Sequence, residues 1–162
     1  MTAAAPAGFR ICPRTGLKVN ATAEALIKAN AVAATVSLLI GGVAAVLVLL
    51  TRWQAVHLLP ASWFYRILTV HGMSMLIFFI IFFEMAILYF ASAVTLNSRV
   101  ATPRLAWGAF GLMVLGALLV EAMMWAGKAD VLFTSYVPLQ ATSWYYLGVI
   151  LFAVGALVVV CI

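Results

Sequence analysis

Long apolar runs separated by short polar stretches dominate the chain. Four of them, at 29–50, 67–93, 105–126 and 144–162, reach the length of about 20 residues that a helix needs to cross a hydrocarbon core. Backbone groups in lipid must find partners within their own segment, so each run predicts a transmembrane helix rather than a strand. The connecting stretches 51–66, 94–104 and 127–143 are short, which makes successive helices antiparallel neighbours. Pro60 and Pro103 each precede a span and Pro138 lies in the third loop, positions that a proline tolerates. The expected fold class is an all-α membrane protein of four transmembrane helices. Residues 1–28 read as a polar N-terminal tail with a turn-rich stretch at 12–16, and residues 29–162 as the transmembrane region. The fourth run stops at Val160-Cys161-Ile162 with no flanking charge, which suggests truncation or a remainder carried by a separate chain.

Composition strengthens this reading. Of 162 residues 67% are hydrophobic and 8% charged, with a mean hydropathy of +1.21. A typical soluble domain has about 25% charged residues, and disordered chains are poor in apolar residues, so both classes are excluded. The net charge of +5 sits at the ends of the apolar runs, where topology accounts for it and no nucleic-acid partner is needed. Six Lys and Arg (Arg10, Arg14, Lys18, Lys28, Arg99, Arg104) fall on the side of the N-terminus and three (Arg52, Arg66, Lys128) on the other. The imbalance predicts a cytoplasmic N-terminus. Trp53, Trp63, Tyr65, Trp125, Tyr136, Trp144 and Tyr145 then form an aromatic belt at the outer interface. Gly148 and Gly155, on one helix face, suggest a packing seam, with Gly108, Gly111 and Gly116 as further points of close approach.

An ionisable group inside a membrane costs roughly 2.5–3.5 kcal/mol on insertion scales, so each calls for a reason. His71, Glu84 and Glu121 are the three within the spans. His71 lies near the outer end of the second span, where a neutral imidazole can ligate haem iron or simply hydrogen-bond a neighbouring helix. A uniform helix places it on one face with Met75, Phe78, Phe82, Met85 and Tyr89, a wall for a porphyrin edge or ordinary packing. Glu84 falls about 140° around that helix and roughly 20 Å deeper. Two readings stand for it: a proton relay, or a protonated carboxyl bonded to another helix. Glu121, nearer the outer interface, reads as structural.

His57 precedes His71 at a spacing that can stack two haem ligands, but Pro60 between them breaks the helix, and the pair is rejected. Cys12 and Cys161 have no second Cys or His at metal-ligand spacing. No phosphate loop, catalytic triad, carboxylate dyad or zinc motif occurs.

The segment Tyr65-Arg66-Ile67-Leu68-Thr69-Val70-His71-Gly72 resembles the Tyr-x-x-Leu-Thr-x-His-Gly segment of subunit I of the haem–copper oxidases. Thr134-Ser135-Tyr136-Val137-Pro138-Leu139 is similar to that family's Thr-x-Tyr-Pro-Pro-Leu loop, with Val137 in place of the first proline. Within the family the chain looks most like the B-type branch. The loop Asn97-Ser98-Arg99-Val100-Ala101-Thr102-Pro103-Arg104 lacks the aspartate that starts a proton channel in the A-type branch.

The resemblance implies that these four spans are the N-terminal portion of a subunit I of about twelve. His71 would be one axial ligand of the low-spin haem (haem b), so its metal would be the haem iron. The second axial ligand, the second haem and the copper site would come from the remaining helices, so this chain alone is not catalytically competent. The complete enzyme would be a terminal oxidase of the cytochrome c oxidase type. It would take electrons from cytochrome c or a similar donor, with oxidase subunit II as partner, and reduce oxygen to water with proton translocation. Its place would be the prokaryotic cytoplasmic (inner) membrane. Two alternatives stay open: a nitric oxide reductase of the same superfamily, and a small independent haem b electron-transfer membrane protein. A non-enzymatic scaffold, in which His71 binds nothing, is a third class.

Overall fold

A computed structural model describes residues 8–162. Two three-residue strands, β1 (Phe9–Ile11) and β2 (Lys18–Asn20), pair antiparallel with Arg10 opposite Val19. Helix α1 (Ala21–Arg52) follows at once. The second hydrophobic run is one continuous helix from Ala61 to Thr95. Within it, α2 (Ala61–Gly72) passes into a π-helical segment (Met73–Phe79), then α3 (Ile80–Phe90) and a second π segment (Ala91–Thr95). Helices α4 (Pro103–Trp125) and α5 (Ser143–Val160) complete the bundle. All four long helices are apolar and long enough to cross a membrane.

The first helix starts earlier than the apolar run does. Asn20 caps it, its Oδ1 accepting from the Ala23 N–H at 3.1 Å, and Glu24 stands in the first turn, where the helix dipole favours an anion. At 32 residues α1 is about 48 Å long, well beyond a hydrocarbon core of about 30 Å. Its opening turns are therefore polar, and Glu24 holds Arg10 at 2.9 Å and Lys28 at 2.7 Å. Of the residues expected as a tail, 8–28 divide into a hairpin and the start of α1, and 1–7 lie outside the described residues. The anticipated turn is the hairpin's own: Gly16 N–H bonds Cys12 O at 2.9 Å, and Gly16 has φ +68°.

The core lies between the helices. Phe152 of α5 takes the edges of Phe78 and Phe82 at centroid distances of 4.9 and 5.3 Å, and Phe82 also meets Phe110 of α4. Helices α4 and α5 approach closely through glycines. A Cβ on Gly116 would stand 2.6 Å from Gly148 O, and one on Gly155 would stand 2.8 Å from Ala109 O. The expected seam of Gly148 and Gly155 is therefore present, with Gly116 as its counterpart. Gly108 and Gly111 take no part, since both face open space. Of the expected aromatic belt, Tyr145 departs: it is buried in the core, whereas Trp53, Trp63, Tyr65, Trp125, Tyr136 and Trp144 are exposed at the same end of the bundle.

Candidate functional site

The first motif meets the stretch that leads into the second, Asp130 to Thr134. Helix α2 brings Arg66, Thr69, His71 and Gly72 to the end of the bundle away from the β1–β2 hairpin, and the α4–α5 loop folds down onto them. Thr69 is completely buried. Its hydroxyl donates to Tyr65 O at 2.7 Å, the back-bond open to a threonine inside a helix, and accepts from the Leu132 N–H at 2.8 Å. One turn earlier, Arg66 Nε stands 3.3 Å from Asp130 Oδ1 while its guanidinium covers the Trp63 ring at 4.5 Å. One turn later, Gly72 lets Phe133 lie against the helix; a Cβ there would stand 3.3 Å from Phe133 Cβ. The loop is closed at its base by a bridge between Ala129 and Ala141 and by the Thr142 N–H on Lys128 O at 3.0 Å. Leu132 and Ser135 adopt φ of +59° and +53°, a region that costs a side-chain-bearing residue roughly 1–2 kcal/mol. The Thr69–Leu132 bond and the Ser135 N–H on Val131 O hold them there.

His71 stands beside this contact. Its Nδ1 lies 2.9 Å from the carbonyl oxygen of Gly41 on α1. A carbonyl only accepts, so Nδ1 carries the proton. In the neutral ring Nε2 then keeps its lone pair, the state in which an imidazole ligates a metal. The ring borders a cavity of about 220 Å³ whose other walls are Leu68, Gly72, Leu76, Leu132, Phe133 and Thr134. The donor and its apolar surroundings fit an axial ligand to haem iron, and they supply a single one. His57 sits apart, in the loop before α2, with φ +44° and its Nδ1 3.3 Å from Thr51 O. Pro60 precedes α2 as its cap, so no helix runs through both histidines.

Gly41 has a second part in this geometry. A Cβ on it would overlap the Met75 side chain and stand 3.2 Å from Met75 N. The glycine thus admits the π segment close enough to α1 for His71 to reach the Gly41 carbonyl. Met75 therefore packs on α1, while Phe78, Phe82, Met85 and Tyr89 are buried, with Phe78 and Phe82 against α5 and α4. The Cβ of Ser74 would also stand 3.2 Å from a Cβ at Gly41. A π segment, Met73–Phe79, stands between His71 and Phe82, Met85 and Tyr89, and it widens the turn between i→i+4 and i→i+5 bonding.

Glu84, expected off the His71 face, is exposed on the outside of the four-helix bundle. Glu121 is tied in: the Ser74 hydroxyl donates to its Oε1 at 2.6 Å and Trp125 Nε1 donates to its Oε2 at 3.1 Å. Ser74 is completely buried and lies one turn beyond His71, so Glu121 links α4 to the segment that follows the histidine. The partners Gly41, Ser74, Asp130 and Leu132 carry no signal of their own in the sequence.

Comparison with known proteins identifies the family. Residues 25–162 match the family described as cytochrome c and quinol oxidase polypeptide I. A solved chain from a heme-copper terminal oxidase dimer is similar at a TM-score of 0.72 and 28% identity, over 86% of this chain and 24% of that one. The present chain thus spans about a quarter of the length of that solved relative. No curated protein matches.

Proposed function

Because the chain belongs to the cytochrome c and quinol oxidase polypeptide I family, we propose that it supplies one axial ligand, His71 Nε2, to a low-spin haem b. The hydrogen bond from His71 Nδ1 to Gly41 O at 2.9 Å carries this reading. It sets the tautomer, fixes the ring plane and raises the basicity of the free nitrogen, the usual work of a partner behind a metal-ligating histidine. Bound there, the haem would carry one electron at a time between its ferric and ferrous states. The residues of this chain hold the ring, and Leu68, Leu76, Leu132 and Phe133 keep its surroundings apolar.

The chain would form the N-terminal portion of a B-type terminal oxidase subunit I. Support for the branch comes from the α3–α4 loop, where Asn97 to Arg104 hold no acid. The remaining helices would bring the second axial ligand, the oxygen-reducing haem and copper, and subunit II would pass electrons from cytochrome c or a similar donor. Oxygen reduction with proton translocation is the activity of that whole assembly. The N-terminus would face the cytoplasm of a prokaryotic cell.

The test is a reduced-minus-oxidised spectrum of the native membrane complex carrying His71→Ala. The low-spin haem band should vanish while the complex still assembles with its other haem. Retention of that band would exclude the assignment. Glu84→Gln should leave haem content unchanged, since Glu84 is exposed on the outside of the bundle.

A further inference from the structure

At the end of the bundle away from His71, the β1–β2 hairpin folds beside the α3–α4 loop. Between them lies a cleft of about 430 Å³ walled by Phe9, Lys18, Asn97, Ser98 and Arg99. Both of its charged residues are cations, and no carboxylate lines it. Phe9 supports the Arg99 guanidinium at 5.9 Å from its ring centroid, the outer limit of a cation–π contact. Ser98 is pinned by its N–H and hydroxyl, both bonded to Ser92 O at 3.2 and 2.6 Å, and Asn97 turns the chain at φ +49°.

The acids of the chain are committed elsewhere. Of four Asp and Glu, Glu24 holds Arg10 and Lys28, Asp130 holds Arg66, Glu121 holds Ser74 and Trp125, and Glu84 lies along α3. Two cations facing one cleft without a carboxylate repel each other unless an anion joins them. We infer that Lys18 and Arg99, in the cleft that Asn97 and Ser98 shape, seat the phosphate group of an anionic phospholipid. Position selects a lipid over a soluble phosphate. The cleft adjoins the end of the Ala61–Thr95 helix, at headgroup depth, on the side holding six of the nine Lys and Arg. Basic pockets beside transmembrane helices on the cytoplasmic side take anionic headgroups in this way. This site is independent of the haem reading and stands whether or not His71 is a ligand.

The test uses the native complex in detergent and native mass spectrometry with phosphatidylglycerol, phosphatidylcholine or inorganic phosphate added. Wild type should retain phosphatidylglycerol in preference to phosphatidylcholine. Lys18→Gln/Arg99→Gln should weaken that retention about thirty-fold, the effect of two surface cations. Arg14→Gln/Arg104→Gln, which removes equal charge from the same end but outside the cleft, should weaken it far less. No preference in wild type, or equal loss in the two double variants, would overturn the seat. Displacement of the lipid by millimolar inorganic phosphate would overturn the lipid as its occupant. All the substituted side chains are exposed, and an unchanged haem spectrum verifies folding.

Discussion

His71 donates through Nδ1 to the carbonyl of Gly41 at 2.9 Å, and at the same glycine the π segment packs directly on α1. One residue therefore sets both the distance between two helices and the orientation of an imidazole. Gly41→Ala should separate these effects from the loss of the ring itself. Its Cβ meets the Met75 side chain, which can move, and Met75 N at 3.2 Å, which cannot move without the helix. Overpacking of this kind costs about 1–3 kcal/mol. The expected outcome is a complex that assembles with its low-spin haem band shifted or reduced, less severely than with His71→Ala. A spectrum identical to wild type would show that the ring does not depend on this contact.

Ser74 and Glu121 should behave as a coupled pair. Ser74→Ala leaves Glu121 Oε1 without the donor it has at 2.6 Å, a loss of about 1–3 kcal/mol at this half-buried acceptor. Glu121→Ala leaves the Ser74 hydroxyl unpaired in the same interface. The double variant should cost less than the two single variants together, by about 0.5–3 kcal/mol. Unfolding titrations in mixed detergent measure the cycle, and strict additivity would mean the bond is not formed. Trp125→Phe removes the other donor from a partly exposed site, so its effect should be smaller, about 0.5–1.5 kcal/mol.

The α4–α5 seam gives a size-graded prediction. A Cβ on Gly148 would stand 2.8 Å from Val120 Cγ2 and 2.9 Å from Gly116 O. Gly148→Ala should therefore lower stability, and Gly148→Leu should prevent the two helices from packing. Gly111→Ala, at a position with nothing within 4 Å, should be neutral or stabilising, because alanine is a better helix former by about 1 kcal/mol. Thermal melts of the solubilised complex rank the three. A Gly111 effect as large as that of Gly148 would contradict the packing.

How much of this was legible in the sequence depends on the range of the interaction. Hydrophobic length alone marks a spanning helix, so four spans could be read directly. The start of α1 escaped because Asn20 and Glu24, its cap and first-turn acid, lie in a polar stretch that looked like tail. The hairpin escaped because strands of three residues hold too few alternating positions to register. No residue type announces a π segment, so the widened turn at Met73–Phe79 is not legible in the sequence. In the site, His71 stood out because an intramembrane imidazole calls for an explanation. Gly41, Thr69 and Ser74 are ordinary residues in a membrane helix, and only the approach of another element gives each its task.

Thr69 shows how such a task can be tested. Its hydroxyl is the acceptor for the Leu132 N–H at 2.8 Å, and Leu132 and Phe133 wall the cavity beside His71. Thr69→Val keeps the shape of the side chain and removes the oxygen, so a backbone N–H is left without its partner. The cost of such an orphaned donor is about 1–3 kcal/mol, and it falls on a loop that already holds Leu132 and Ser135 at positive φ. Thr69→Ser retains the oxygen and should restore most of the loss. Limited proteolysis within 127–142 should therefore be faster in Thr69→Val than in Thr69→Ser, with the low-spin haem band weakened in the same order. If valine and serine behave alike, the hydroxyl does not hold the loop, and packing of Phe133 on Gly72 must do so instead.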